Sequence, residues 1–193
     1  MATVKRAANT KETPRKAQPF DSVLRLADIA PQAPALLGET IHLGIRLTPD
    51  GDALDEINWL VGKPRQPANA TVCARRDPLL ETLRQQLFTW FGNPAFVFNL
   101  PLATPRTAFQ AHLRAALCAT EPGETLTYGE LAKQLNSAPR AVGQALGSNP
   151  IPIIVPCHRI ISAGKNRLTG FSHTREGPLL AMKAWLLEHE TSD

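Results

Sequence analysis

The sequence lacks any apolar run that approaches the roughly 20 residues needed to cross a lipid bilayer, so no membrane-spanning helix is predicted. Its first residues, MATVKRAANTKETPRK, also lack the apolar stretch of a secretory signal. Charged residues make up only 20% of the 193-residue chain, whereas hydrophobic residues make up 43%. This composition excludes wholesale disorder and predicts a globular protein of one or two domains.

Cysteine is scarce as well, with only Cys73, Cys118 and Cys157 present. The number is odd, the spacing is wide and no CxxC pair occurs, which argues against both a disulfide framework and a zinc cluster. We therefore expect a reducing compartment, no bound metal and no cofactor. One of the three thiols is a candidate for chemistry, and its neighbours must decide which.

Excess positive charge is confined to one end of the chain. Residues 1–19 carry a net charge of +4, which equals the net charge of the whole chain, so the remainder is neutral overall. The isoelectric point near 9.2 is therefore no indication of a nucleic-acid-binding domain by itself. We interpret these residues as a basic disordered tail, and weak attraction to phosphate groups is the alternative.

Hydrophobic patterning divides the rest of the chain into an N-terminal unit, residues 20–103, and a C-terminal unit, residues 104–193. The elements predicted in the first unit are strands over 41–47 and 53–61 joined by the turn TPDGD, a loop over 63–70, a helix over 77–91 and a strand over 96–102. This order predicts a small α/β domain. Nothing in it suggests chemistry, and we interpret His42 and Trp59 as core or surface residues.

The second unit is predicted to be mostly helical. Its elements are an amphipathic helix over 107–120, short helices over 127–136 and 138–149, a buried strand over 153–155 and a last helix over 178–190. Thr127 and Glu130 have the spacing of a capping box at the start of the first short helix. Two short helices joined by a tight turn predict a helix-turn-helix. The residues of the last helix expected to face inward are Leu180, Trp185, Leu186 and Leu187.

The segment Pro156-Cys157-His158-Arg159 points most strongly to chemistry. A nucleophilic cysteine needs a lowered pKa, which neighbouring basic or cationic groups provide. Neighbours along an extended chain, however, point to opposite faces. On this adjacency alone, an ordinary buried thiol is the favoured interpretation of Cys157.

The segments around Cys157 favour a reactive cysteine over an ordinary buried thiol. The segments TYGELA, PRAVGQAL, NPIPIIVPCHR, LTGF and LLEHE occur in that order. In this combination the chain resembles the O6-alkylguanine-DNA alkyltransferases, also called methylated-DNA–protein-cysteine methyltransferases. The resemblance covers Thr107 to Glu190 closely and residues 20–103 in outline. It implies a ribonuclease-H-like α/β N-terminal domain and a mostly α, winged-helix or helix-turn-helix-like C-terminal domain that carries the active cysteine.

The resemblance implies DNA repair by direct reversal. Cys157 would accept the alkyl group from O6 of guanine, and from O4 of alkylthymine, by in-line displacement, and it would end as a stable thioether. Each chain would therefore act once, as a single-turnover transferase. The expected partner is double-stranded DNA carrying O6-alkylguanine, bound by a monomer without membrane contact. The expected location is the cytoplasm in a bacterium and the nucleus in a eukaryote.

The same resemblance implies roles for the residues around the thiol. His158 would take the thiol proton through a water molecule, and Glu190 would orient that imidazole, as a carboxylate does in a triad. Asn149 would brace the turn before the active cysteine by side chain-to-backbone hydrogen bonds. Arg159 would tie down nearby carbonyl groups.

Further roles concern the DNA, because a stacked base cannot reach a buried thiol and must be extruded. Tyr128 would donate to the departing guanine and crowd its phosphate, and Arg140 would occupy the space left by the base. The small residues of the helix that carries Arg140 would allow close approach to the minor groove. Ser172 would donate toward O6 from a lid over the base. The base edge would be read by backbone groups of Val155, Cys157 and Ile160.

Two departures from the family pattern concern the lid. Phe171 stands where tyrosine is common, and about three extra residues follow Ser172. Three alternatives are a DNA-binding protein without transfer activity, a cysteine hydrolase and a fusion to an adaptive-response regulator. Cys157 is present, no oxyanion hole is indicated, and the regulator's metal-binding cysteine domain is missing, so each is less favoured than alkyl transfer.

Overall fold

A computed structural model describes most of the chain. The described residues are 20–62, 77–164, 168, 170–172, 174 and 176–191. The basic tail over 1–19, the loop over 63–70 and Cys73 therefore lie outside the described residues. In the described ranges, every helix is too short or too polar to span a lipid bilayer.

A three-stranded antiparallel sheet dominates the first part of the chain, with two short helices against it. The strands are β1 (Ser22–Arg25), β2 (Ile41–Leu47) and β3 (Leu54–Val61), in the spatial order β1-β2-β3. The helices are α1 (Leu26–Ile29) and α2 (Ala35–Thr40). The predicted hairpin is confirmed, because β2 pairs with β3 around the TPDGD turn. All seven residues of β2 are buried, as expected for the central strand.

The helix predicted over 77–91 is confirmed as α3 (Pro78–Gly92). The Asp77 side chain accepts a hydrogen bond from the Leu79 amide, and Pro78 occupies the first turn, where it loses no helical hydrogen bond. The buried face of α3 consists of Leu83, Leu87, Trp90 and Phe91. These side chains belong to the same hydrophobic core as the sheet.

The strand predicted over 96–102 is wrong. The alternation is real, because every second side chain from Phe96 to Leu102 packs on the core while Val97 is 82% exposed. The segment is extended but pairs with the sheet only at Leu102, which bridges to Leu54. It runs along α3, where Gln86 bonds to both backbone groups of Asn99, so no neighbouring strand completes a ladder.

Among the described residues, the second part of the chain contains four further α-helices. They are α4 (Ala108–Cys118), α5 (Tyr128–Gln134), α6 (Pro139–Gly147) and α7 (Pro178–Thr191). The predicted helices are confirmed, and so is the capping box of Thr127 and Glu130. Helices α5 and α6 pack against each other across the short turn 135–138. A short parallel pair, β4 (Leu126–Thr127) with β5 (Ile160–Ile161), was not predicted.

Two expectations for this part are wrong. Residues 153–155 are buried but form a turn, in which Ile153 has a φ of 73°. Prolines 150, 152 and 156 lack the amide protons that a ladder would need, so this segment cannot extend a sheet. The inward face of α7 is also displaced from the predicted one. Its buried residues are Leu179, Met182, Lys183, Leu186 and Glu190. Of the four expected, Leu186 is buried and Trp185 packs half-buried against the core, whereas Leu180 and Leu187 are not in the core.

The two parts of the chain are joined through β3 and α7. The Ile57 amide of β3 donates to the Pro150 carbonyl at 2.7 Å, and α7 packs against both β3 and α2. The turn that precedes Cys157 is therefore fixed to the sheet of the first part.

The neighbouring residues Leu87 and Phe88 of α3 test this core. Leu87 is fully buried, whereas Phe88 is 51% exposed. We expect Leu87→Ala to lower the free energy of unfolding by about 2–5 kcal/mol, because it removes buried methyl groups and leaves a cavity. Phe88→Ala should change it by less than about 1 kcal/mol. Urea unfolding followed by circular dichroism measures both, and equal losses would contradict the buried face assigned to α3.

Candidate active site

Cys157 opens a single 3₁₀ turn, Cys157–Arg159, that lies directly after the proline-rich turn. Cys157 is only 9% exposed, yet it forms part of the wall of a cavity of about 250 Å³. The cavity is also lined by Tyr128, by Gly143, Leu146 and Gly147 of α6, and by Gly170, Phe171, Ser172 and Thr174. Cys157 also borders the neighbouring groove against β3, so it faces two open spaces.

Asn149 holds the turn that leads to the thiol. Its side-chain amide donates to the Val155 carbonyl at 2.9 Å, and its side-chain oxygen accepts from the Ile151 amide at 3.2 Å. The Cys157 amide donates to the same Val155 carbonyl. These bonds close the turn around Ile153, whose left-handed backbone is unfavourable for a β-branched residue and is held by the surrounding structure.

His158 is fully buried and bonds directly to Glu190, with 2.8 Å between Nε2 and Oε1. Since an ionised carboxylate only accepts hydrogen bonds, Nε2 must carry the proton in this contact. Nδ1 is then the basic nitrogen, and among the described residues it has no hydrogen-bonding partner. The imidazole is thus held in the tautomer that can receive a proton at Nδ1.

The Glu190 carboxylate is satisfied by four donors. Besides His158, Arg159 donates to it in a bidentate manner, with both nitrogen-to-oxygen distances at 2.9 Å, and the Gly123 amide donates at 3.2 Å. The remaining guanidinium nitrogen of Arg159 donates to the carbonyl and the hydroxyl of Thr120. Although burial opposes its ionisation, the bonds from His158 and Arg159 lower the pKa of Glu190 to about 2. It is therefore charged at neutral pH.

The pKa shifts at the thiol and the imidazole keep both groups neutral. Burial raises the pKa of Cys157, although an Asn149 hydrogen bond and the charge of Lys183 act against it. Burial also lowers the pKa of His158, against the opposing effect of Glu190. The resting pair is therefore a protonated thiol beside a neutral imidazole. Burial thus outweighs the neighbouring charges at the thiol.

Lys183 was not assigned a role from the sequence, yet it lies at the centre of the site. It is 1% exposed, and its ammonium group donates to the carbonyls of Ile160 at 2.7 Å and Gly170 at 3.2 Å. Burial lowers its pKa to about 8, with Cys157 acting in the opposite direction. Its position four residues after Leu179 and three before Leu186, on a helical apolar face, was the signal that could have identified it.

The segment after Gly170 covers one side of the cavity. Phe171 and Thr174 exchange backbone hydrogen bonds at 2.9 and 2.8 Å, which form a tight turn, and Ser172 within it has a φ of 47°. Phe171 is buried, and its ring lies 5.8 Å from the ring of Trp59 in β3. Trp59, interpreted from the sequence as a filler, thus supports the wall of the cavity.

The opposite side of the cavity is formed by α5 and α6. The Tyr128 ring lies over Gly143, where an added Cβ would be 3.8 Å from the ring. Burial raises the pKa of Tyr128, so its hydroxyl keeps its proton at neutral pH. Arg140 is exposed near the start of α6. Gly143 and Gly147, two of the small residues of α6, line the cavity and leave room beside the thiol.

The backbone groups expected to read a base edge differ in availability. The Val155 carbonyl already accepts two hydrogen bonds, from Asn149 and the Cys157 amide. The Cys157 carbonyl accepts from the Ile160 amide, and the Ile160 carbonyl accepts from Lys183. Since a carbonyl oxygen has two lone pairs, the Val155 carbonyl is fully used within the turn. Among the described residues, no group of three or more His, Cys, Asp or Glu side chains could hold a metal ion.

Comparison with known proteins identifies close relatives. Residues 108–192 match the family model described as the DNA-binding domain of 6-O-methylguanine DNA methyltransferase. The chain is 45% identical over 147 residues to the methylated-DNA–protein-cysteine methyltransferase of Haemophilus influenzae, covering 73% of this chain and 76% of that protein. It is 37% identical to the protein of the same name from Methanosarcina acetivorans, covering 77% of this chain and 92% of that protein.

Solved structures give the same result. Mycobacterium tuberculosis OGT in complex with DNA has 34% identity and a TM-score of 0.57, covering 78% of this chain and 85% of that chain. The O6-methylguanine DNA methyltransferase of Methanococcus jannaschii has 28% identity and a TM-score of 0.60, covering 80% of this chain and 91% of that chain. The mixed α/β architecture, with a small sheet and surrounding helices, is shared with these proteins.

The buried network around Glu190 predicts a pH-dependent stability. We expect Glu190→Gln to lower the free energy of unfolding at pH 7 by about 3–5 kcal/mol, because it leaves the buried Arg159 without its counter-charge. The pKa of Glu190 is lowered from 4.5 to about 2 on folding, so its charge stabilises the fold above pH 4.5. That contribution is lost as the pH falls from 4.5 toward 2.

Urea unfolding of the wild type and Glu190→Gln between pH 7 and 3 measures this difference. The gap between the two proteins should narrow below about pH 4.5, the ordinary range for a glutamate. Glu188, exposed on the same helix, provides the matched control, and Glu188→Gln should change the stability little at any pH. A gap that stays constant down to pH 3 would contradict an ionised Glu190.

Proposed function

The chain belongs to the methylated-DNA–protein-cysteine methyltransferase family, and from this we propose that it repairs O6-alkylguanine in DNA by moving the alkyl group irreversibly to Cys157. The observation that carries this proposal is the position of the thiol. Cys157 is the only cysteine of the described residues in the wall of the 250 Å³ cavity, and the next residue is an imidazole locked to a buried carboxylate. A cavity of this size suits one base better than a larger ligand.

The neutral pair at the centre of the site defines the proton path. Displacement requires a thiolate, so the Cys157 thiol must lose its proton when substrate is present. In this path Nδ1 of His158, which has no partner among the described residues, is the base. One water molecule between the sulfur and this nitrogen carries the proton. The imidazolium that forms is stabilised by Glu190, which accepts from Nε2. Lys183 stabilises the thiolate by its charge.

The transfer is a single in-line displacement. The sulfur of Cys157 forms a bond to the alkyl carbon as the bond from that carbon to O6 breaks, and the electron pair of that bond goes to the guanine. The guanine regains a proton at N1, which balances the proton lost by the thiol. Tyr128 assists by donating from its hydroxyl to the departing base. The product is a thioether, which leaves no nucleophile, so each chain acts once.

The base reaches the thiol only when it is extruded from the helix. We propose that α5 and α6 act as a helix-turn-helix, with α6 in the minor groove and Arg140 in the space left by the base. The exposure of Arg140 supports this role. Carbonyl groups of Cys157 and Ile160 read the base edge, with Ser172 donating toward O6. The occupied carbonyl of Val155 makes it a brace for the turn instead.

The remaining proposals concern the architecture and range of the protein. We propose a ribonuclease-H-like domain over residues 20–103 and a winged-helix-like domain over 104–193, which act as a monomer. O4-alkylthymine is proposed as a second substrate. No feature of the described residues favours hydrolysis, because a hydrolytic cysteine would need an oxyanion hole beside it.

Intact-protein mass spectrometry after mixing with duplex DNA that contains one O6-methylguanine tests the transfer. The wild type should gain about 14 Da once, the mass of one added methylene, and then stop. Cys157→Ala should gain nothing. Cys118→Ala is the matched control, because Cys118 is a free and more exposed cysteine outside the cavity, and it should react as the wild type does. Binding of the lesion without a mass gain would contradict the proposal.

Comparison of duplex and single-stranded DNA separates base extrusion from chemistry. Arg140→Ala should slow transfer from the duplex far more than from a single strand, because only the duplex requires a replacement for the extruded base. Tyr128→Phe should slow both, by roughly 10²-fold, since it removes a donor to the departing guanine. Single-turnover rates at saturating protein measure these effects.

Lys133→Ala on α5 is the control for the loss of one exposed positive charge. It should weaken binding to both DNA forms by similar factors without a selective loss on the duplex. An equal effect of Arg140→Ala on duplex and single strand would show that Arg140 contributes only charge.

A further inference from the structure

An aromatic cluster from the first part of the chain reaches the imidazole of the active site. Trp90 of α3 is 2% exposed, and its ring lies 6.3 Å from the His158 ring at an angle of 71°. In this arrangement the edge of one ring meets the face of the other, which is a favourable aromatic contact. The same indole lies 5.5 Å from the His189 ring, at 69°. Trp90 therefore brings α3 into contact with both histidine rings.

The hydrogen bond to Glu190 fixes only one atom of the imidazole. With Nε2 held at 2.8 Å from Oε1, the ring of His158 can still tilt about this contact, which would swing Nδ1 away from the thiol. Among the described residues, Nδ1 has no partner that would prevent this motion. A rigid indole packed against the ring can prevent it, because displacement of the ring would require movement of the core around α3.

We propose that Trp90 is a positioning residue for the transfer reaction, holding the imidazole of His158 so that Nδ1 points toward the Cys157 thiol. This inference rests on the proposed role of His158 as the base. It assigns a part in the reaction to the N-terminal unit, in which the sequence indicates no chemistry. It also predicts that the segment matched by the family model, residues 108–192, is insufficient for full activity, since Trp90 lies outside it.

The indole also shapes the electrostatic surroundings of His158. The charged or titratable groups that affect it are Glu190, Arg159 and Lys183, and the ring of His189 also contacts Trp90. Burial is the largest cause of the lowered pKa of His158, and a fully packed indole is part of that burial. A smaller side chain would admit water and raise this pKa toward the ordinary value for histidine.

Substitutions of two tryptophans in the same cluster test the proposal. Trp90→Leu removes the aromatic contact with His158, and Trp90→Phe retains a smaller ring. Trp185 is the matched control, because it stacks on Phe91 at 5.6 Å and on His189 at 5.4 Å, and no contact with the His158 ring is found for it. Trp185→Leu therefore perturbs the cluster without touching the base. Thermal unfolding defines a temperature at which all variants are folded.

The first readout is the single-turnover rate of transfer from duplex O6-methylguanine, with DNA affinity measured separately. We expect Trp90→Leu to lower the rate at saturation by on the order of 10²-fold at unchanged affinity, and Trp90→Phe to recover part of it. The base acts when neutral, so its rate falls as the pH drops through the pKa of His158. A raised pKa in Trp90→Leu moves this acid limb to higher pH. Trp185→Leu should keep the wild-type rate and pH profile.

The second readout is independent of activity. Long-range ¹H–¹⁵N NMR of the histidine side chains reports the tautomer and pKa of His158 in the unreacted protein. All four proteins should show the tautomer protonated at Nε2, because the bond to Glu190 is kept in each. The wild type and Trp185→Leu should share one pKa for His158, whereas Trp90→Leu and, more weakly, Trp90→Phe should show a higher pKa.

Two results would overturn the proposal. One is a wild-type pKa and rate in both Trp90 variants, and the other is an equal loss in Trp185→Leu, which would assign the effect to general packing. If the wild type itself transfers no alkyl group, the proposed function fails, and the pKa measurement still decides whether Trp90 packs on His158 as proposed.

Discussion

The need to satisfy one buried carboxylate organises this molecule. Glu190 is charged, 7% exposed and bonded to four donors on Gly123, His158 and Arg159. A buried charge without such partners would be strongly destabilising, so the turn after α4, the active-site turn and α7 must meet at this point. The same requirement fixes Nε2 of the imidazole, while the Asn149 bonds fix the turn that carries the thiol. Burial raises the pKa of the neighbouring Cys157, so its thiol is protonated at rest.

The sequence predicted the elements whose patterns are local. The hairpin, α3, the capping box of α5 and the paired short helices were confirmed, because alternation, helical spacing and caps act over a few residues. The strands over 96–102 and 153–155 were wrong, since strand formation depends on a partner elsewhere in the chain. The short elements β1, α1 and α2 were too brief to produce a pattern. The inward face of α7 was misjudged because two of its positions are charged residues, Lys183 and Glu190, that find partners only in the fold.

The site shows the same difference between features that local sequence indicates and contacts that form only in the fold. The resemblance drew attention to Cys157, His158, Glu190 and Asn149, and the structure gathers them around one cavity wall and one network. It gave no role to Lys183, and it did not include Thr120 and Gly123, because the contacts of all three join segments that are distant in sequence. The contributions of Trp59 and Trp90 were hidden for the same reason. Both belong to a unit without reactive side chains, yet each packs on a ring that borders the site.

The proline-rich turn has a consequence for how the protein is made. Ile153 is held in a left-handed conformation by bonds from Asn149 and by burial of its side chain, neither of which exists before the chain has folded around it. Helix α7, which supplies Glu190 and Lys183, follows the thiol in sequence and leaves the ribosome after it. A nascent chain that has exposed Cys157 therefore still lacks the carboxylate that holds His158 and the ammonium group that bonds to Ile160. The surroundings of the thiol are complete only after the last helix has been synthesised and has docked.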